Sequence, residues 1–191
     1  MLVLVLGIVI FLGAHSLPIF QDRRTGLIER FGFGPYKVAY SLLSLAGFVL
    51  IVWGFSMYRA HGLIHVWTPP PWTRHVTILL MWFAFAALAA MNKAPGRIRG
   101  WLRHPMLVAI KIWALAHLLA NGDLGGMVLF GSFLAWAVYD RISVKRRGDK
   151  GAPEVASFTR ADAIALGAGT VAYIAMILLH PVLIGVPVIG V

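Results

Sequence analysis

The lysines and arginines of this chain are confined almost entirely to the gaps between long apolar runs, and they crowd into alternate gaps. That pattern leaves few folds open. A backbone in lipid has no water to satisfy its N–H and C=O groups, so an apolar run of about 17 to 25 residues reads as a helix. Six runs qualify, at about 1–20, 37–58, 76–92, 105–120, 124–140 and 162–180. The third, fourth and fifth are short, which suggests a tightly packed bundle or a helical hairpin that does not fully span. Asn121-Gly122-Asp123 alone separates the fourth from the fifth, enough for a sharp antiparallel turn. Pro35, Pro69-Pro70-Pro71, Pro95-Gly96 and Pro105 punctuate helix ends. The expected fold class is all-α: a polytopic membrane helical bundle of about six transmembrane helices, one membrane domain over residues 1–191.

Orientation follows from the charges. One gap holds Arg23, Arg24, Arg30 and Lys37. A second holds Lys93, Arg97, Arg99 and Arg103, and a third holds Arg141, Lys145, Arg146, Arg147, Lys150 and Arg160. The other connections carry Arg59 and Arg74 or nothing basic. The positive-inside rule puts the three basic gaps in the cytoplasm and both termini outside. Trp67, Trp72 and Trp101 fall where interfacial aromatics belong. The N-terminus lacks the basic region of a signal peptide and reads as a retained span. The tail from Pro181 to Val191 is too short to cross again and is expected at the outer interface. The loop at 143–157, with Gly, Pro and mixed charge, is expected to be the most mobile segment.

Composition excludes several functions. With 60% hydrophobic and 13% charged residues, the chain departs from soluble domains, which carry about a quarter charged. The formal charge of +10 therefore points to inner-facing loops and anionic headgroups, not to nucleic acid. The absence of cysteine removes disulfides, thiolate catalysis and Cys-held iron–sulfur clusters. No dinucleotide fingerprint, P-loop, HExxH, EF-hand or serine elbow occurs. No acidic residue lies well inside a span and no inverted half repeats, which argues against a cation-coupled transporter. Gly122, Gly125, Gly126, Gly167 and Gly169 read as close-packing sites between helices.

Ionisable groups within spans are costly and mark candidate sites. His15 lies in the first run, roughly 10 Å from Asp22 if the helix continues at its regular rise. It reads either as an imidazole satisfied by packing or as a metal or haem ligand. In the fourth run Ile110, Trp113, His117 and Asn121 form a stripe at helical spacing. Such a wall suits a flat apolar cofactor and also suits ordinary helix packing. Arg103, His104 and Lys111 make a basic patch on another face, open either to snorkelling or to an anion or carboxylate at a helix start. His61, His65, His75 and His180 match no compact zinc spacing and read as structural or interfacial.

Three stretches carry a resemblance: Phe11-Leu12-Gly13-Ala14-His15-Ser16, Arg103-His104-Pro105, and Trp113 through Asp123, the most specific. Together they resemble the NnrU family of bacterial integral membrane proteins, over nearly the whole chain. The resemblance implies an inner-membrane protein, named for genes found with denitrification and nitric-oxide reduction. The family includes 15-cis-zeta-carotene isomerase, which uses haem b to isomerise a double bond. By that likeness His15 and His117 correspond to its axial ligands. Trp113 and Asn121 would form pocket wall, and Arg103 with Lys111 would meet haem propionates. The position of the isomerase's switch cysteine is Ala114, which removes its ligand-exchange device. Measured from Arg103, His117 lies roughly 21 Å along the helix, so His104 stays open as an alternative second ligand. The implied substrate is lipid-soluble, such as a polyene or quinone. The alternative is a non-catalytic membrane factor supporting denitrification enzymes. Arg103-His104-Pro105 is also similar to an S-adenosylmethionine-binding element of isoprenylcysteine carboxyl methyltransferases, but the acidic pair expected downstream there is not evident after Tyr139-Asp140.

Overall fold

The computed structural model describes residues 1–92 and 94–189; Lys93, counted above in the second basic gap, and the terminal Gly190 and Val191 lie outside the described residues. The described chain is all-α. Its elements are α1 (Leu2–Ser16), a 3-10 turn (Leu17–Ile19), α2 (Gln21–Phe31), α3 (Phe33–Ala60), α4 (Pro71–Ala89), α5 (Arg97–Leu102), α6 (Pro105–Ala120), α7 (Leu124–Arg146) and α8 (Arg160–Leu183). Five spans are long and apolar enough to cross a membrane, the first being α1 together with the 3-10 turn (Leu2–Ile19), and α6 is a shorter apolar helix of 16 residues.

The third and fifth apolar runs are not short. Pro71 can occupy the first turn of a helix without losing a hydrogen bond, so α4 begins there, before the apolar run does. The α7 helix continues past the apolar residues to Arg146, its basic last turn facing the partial negative charge of the helix end. The first basic gap also folds. Its charged and apolar residues form α2, which ends at Gly32, where φ is +85° and the chain turns into α3.

The fold comprises two compact units. The first contains Met1–Thr68 and Asn121–Val144. Within it α1 packs closely along α3, and three glycines make that approach possible. A Cβ on Gly7 would stand 2.6 Å from the backbone N of Ile51, and one on Gly47 would stand 2.7 Å from that of Phe11. A Cβ on Gly54 would collide with the backbone of Leu4, itself fully buried. The α7 helix meets α1 through side chains: the Phe11 and Phe133 rings lie 5.6 Å apart, and the Trp136 indole N–H donates to Ser16 Oγ at 3.2 Å.

At the far end of α3, Tyr58 packs against Gly125, where any side chain would overlap its ring. Its hydroxyl accepts the Ile64 N–H at 3.0 Å. Residues 64–67 are tied to the 121–124 turn, with the Val66 and Trp67 N–H groups on the Gly122 carbonyl and the Leu124 N–H on that of Ile64. Tyr58 is buried, so Tyr58→Phe leaves the Ile64 N–H without its acceptor. A loss of about 1–2 kcal/mol is expected in reversible unfolding in detergent; no change would show that this turn adds nothing to stability.

The second unit contains Pro69–Ala120 and Lys145–Val191. Here α4 packs against both α6 and α8. Alanines form the seam: Ala84, Ala86, Ala87, Ala109, Ala114 and Ala116 are all buried. Polar side chains tie the helices at points: Thr77 Oγ1 donates to the Ala116 carbonyl (2.8 Å), Trp82 Nε1 to Thr170 Oγ1 (3.0 Å) and Tyr173 Oη to the Ile78 carbonyl (3.0 Å). Gly169 does serve close packing, since a Cβ there would stand 2.9 Å from Ala86 Cα. Gly167 does not: nothing lies within 4 Å of the Cβ it would carry, because it sits two residues round the helix on the open face. The C-terminal tail folds back, with the Arg74 guanidinium donating to the Val188 carbonyl and His180 Nδ1 to that of Val186.

The loop expected to be the most mobile segment is anchored through its 151–154 stretch, with most of its other residues exposed. The Ala152 N–H donates to the Arg103 carbonyl at 2.9 Å, Arg103 pairs with Glu154, and Gly100 lies against Pro153 and Glu154. Gly151, at φ +68°, allows this approach, because a Cβ there would stand 2.7 Å from His104 Nε2.

Candidate functional site

His15 sits in the last turn of α1. The helix ends at Ser16 and a 3-10 turn follows, so the straight-helix ruler from Asp22 does not apply to its depth. Its Nδ1 lies 2.8 Å from the Phe11 carbonyl. A carbonyl can only accept, so Nδ1 carries a proton, and in the neutral imidazole Nε2 is then the atom with the lone pair. The imidazole stacks on Phe11, ring centres 4.1 Å apart. Tyr40 of α3 stands at 5.5 Å and the edge of Trp136 of α7 at 6.2 Å. Three aromatic rings from three helices therefore fix the plane of this imidazole. Helical spacing within α1 reveals Phe11 alone; Tyr40 and Trp136 belong to helices whose rotation the sequence does not encode locally.

His117 occupies the last turn of α6 and repeats the local arrangement. Its Nδ1 lies 2.8 Å from the Trp113 carbonyl, and the Trp113 ring is 5.5 Å away. The Nδ1 proton of the neutral ring is again used by a carbonyl one turn back. His180, which the sequence offered only as a structural residue, lies within electrostatic reach of His117. The Nδ1–carbonyl bond is not by itself distinctive, since the exposed His61 makes it too, to Met57 at 2.7 Å. The aromatic frame sets His15 apart.

The remaining predicted residues separate. The α6 helix stops at Ala120, and Asn121 follows as the first residue of the turn. Trp113 stays with His117. Arg103 is committed to structure. It stands at φ +60°, ψ −54°, and the His104 N–H donates to the Leu102 carbonyl across it at 2.6 Å. That is a γ-turn of the rare strained hand, costing about 1–3 kcal/mol for a residue with a side chain. The bonds of Arg103 to Ala152 and Glu154 hold it there. His104 Nε2 is buried without a hydrogen-bond partner and faces Gly151. Lys111 is half-buried on α6 and forms no ion pair among the described residues.

Among the described residues no three His, Asp or Glu side chains converge as a metal cage. A compact zinc-type centre therefore has no donor set there, whereas haem iron needs one or two imidazoles. Ala114 is completely buried in the α4–α6 seam.

No curated protein and no solved structure matches this chain. The family comparison does match: the model described as "NnrU protein" covers residues 3–188, and the chain therefore belongs to the NnrU family.

Proposed function

We propose that this NnrU-family membrane protein binds haem b through an imidazole, with His15 and His117 as the ligand candidates, and acts on or senses a lipid-soluble molecule. The observation that carries the reading is the frame around His15. Its Nδ1 proton is used by the Phe11 carbonyl, its ring is held by Phe11, Tyr40 and Trp136, and Nε2 is left to coordinate. Metal-bound histidines are oriented in this way, by a hydrogen bond from the other ring nitrogen. His117, with Trp113, offers a second imidazole of the same tautomer. When bound, the haem would supply a redox-active iron in a setting of low polarity. The protein's part is to fix the imidazole, exclude water and present apolar surface to a polyene or quinone.

The proposed surroundings are the inner membrane of a bacterium, from the family likeness, with basic gaps inside and termini outside, from the distribution of Lys and Arg. A second reading, a membrane factor supporting nitric-oxide or nitrite metabolism without catalysis, is favoured by Ala114. Its buried methyl offers no donor for a ligand exchange at the position where the isomerase has one.

The test is absorption spectroscopy of detergent-purified protein after expression with haem supplied, oxidised and reduced. A stoichiometric Soret band is expected. His15→Ala should remove or shift it, with free imidazole restoring it, and His117→Ala tested separately shows whether one or both residues ligate. A folded, colourless protein that also fails haem reconstitution would overturn the haem assignment and favour the non-catalytic reading. Copurification with a denitrification enzyme after mild extraction would support that second reading further.

A further inference from the structure

Most of the second unit's charge lies in two segments, with Arg74 and Lys111 elsewhere. Residues 94–104 and 145–162 are joined by the Asp162 carboxylate on the N–H groups of Arg97 and Ile98, and by the Arg103 contacts with the 151–154 loop. These two segments hold eight Lys and Arg against three acidic residues. All three carboxylates are already engaged: Asp162 is buried on backbone amides, Glu154 pairs with Arg103, and Asp149 accepts the Gly151 N–H at 2.8 Å. Lys145, Arg146 and Lys150 remain exposed. Arg97 lies over the Trp101 ring at 4.6 Å, and that ring is 68% exposed. Phe158, four residues before Asp162, is also exposed.

We propose that these two segments form a binding surface for anionic phospholipid headgroups, with Arg97, Lys145, Arg146 and Lys150 meeting the phosphates and Trp101 and Phe158 seated among the glycerol and acyl carbons. Charge complementarity alone would fit any anion. The exposed rings decide the source, because an indole and a phenyl among cations suit the headgroup layer and gain nothing from a soluble phosphate. The surface is also continuous with α8, one of the helices long enough to cross the membrane. Asp162 and Arg103 hold α5 and the loop in place, so the cations are presented on a fixed frame.

The experiment is native mass spectrometry of the full-length protein in detergent, titrated with phosphatidylglycerol or phosphatidylcholine of identical chains. Phosphatidylglycerol adducts are expected to survive in clear excess. The Arg97→Gln, Lys150→Gln double variant should lose that excess, by about fivefold per charge removed. Arg97→Lys with Lys150→Arg should restore it, which separates charge from folding, and Arg59→Gln, outside the three basic gaps, should leave it unchanged. Equal retention of the two lipids overturns the proposal. So does full competition by millimolar inorganic phosphate, which would mark a soluble-anion surface, or an undiminished excess in the double variant.

Discussion

Gly47→Ala is expected to destabilise the protein, while Gly13→Ala on the neighbouring helix stabilises it. Both glycines lie in helices, where alanine is intrinsically favoured by about 1 kcal/mol. Propensity alone therefore predicts a gain at each. The surroundings differ. A Cβ at Gly13 meets nothing within 4 Å, whereas one at Gly47 would stand 2.7 Å from the backbone N and 2.9 Å from Cα of Phe11. The obstacle is main chain, so no rotamer change relieves it and α1 must move off α3. Overpacking costs about 1–3 kcal/mol in a core that can adjust, and this seam is also contacted at Gly7 and Gly54. Gly47→Leu should exceed that cost and abolish monodisperse protein. In detergent thermal denaturation the two alanine variants should shift the midpoint in opposite directions. A rise at both positions would mean the α1–α3 contact is loose. Because Phe11 carries the His15 frame, Gly47→Ala should also broaden any haem spectrum attached to His15.

Asp162→Ala should be the most damaging single change in the second unit. The carboxylate is 1% exposed and joins two helix starts. Oδ2 accepts the N–H groups of Arg97 (2.9 Å) and Thr159 (2.8 Å), and the Thr159 hydroxyl donates to it at 3.0 Å. Oδ1 accepts the Ile98 N–H at 2.8 Å. The Thr159 side chain completes the capping box of α8. Removing the carboxylate leaves these donors buried and unsatisfied, and hydrogen bonds to a charged acceptor contribute about 1.5–3 kcal/mol each. A loss of about 4 kcal/mol or more is expected, most of the stability of a domain at the low end of the ordinary range of about 5–15 kcal/mol. Asp162→Asn keeps one acceptor oxygen but turns an NH2 group toward an amide N–H, so it should fall between the two. Gly96→Ala tests the same centre sterically. Gly96 has an extended backbone that any residue adopts, but its Cβ would stand 2.7 Å from Asp162 Oδ1. Equal midpoints for wild type and Asp162→Ala would show that α5 docks without the carboxylate.

The apolar runs foretold the helices well because lipid imposes a length and a composition that are visible residue by residue. Their ends were less legible. Pro71 and the basic end of α7 extend two helices beyond the hydrophobic residues, since a helix can continue once its backbone bonds are made. The basic gap after α1 looked like a loop and is α2, because a helix needs apolar residues on one face only, which the charged run supplies. His15 stood out as an ionisable group inside an apolar run and His117 by its four-residue spacing to Trp113, and the family likeness pointed to both. Asn121 was read onto the same stripe, and α6 ends just before it, at Ala120.

Sequence alone determined the class of the molecule: all-α, membrane-spanning, cysteine-free and of the NnrU family. Those properties depend on hydropathy, charge placement and short motifs, each local to the chain. Tertiary structure decided which glycines matter, which carboxylate joins α5 to α8, and which rings surround His15. These depend on how each helix is rotated about its axis against its neighbour. Helices that are apolar nearly all round carry little information about that rotation, and close contact between backbones supplies it.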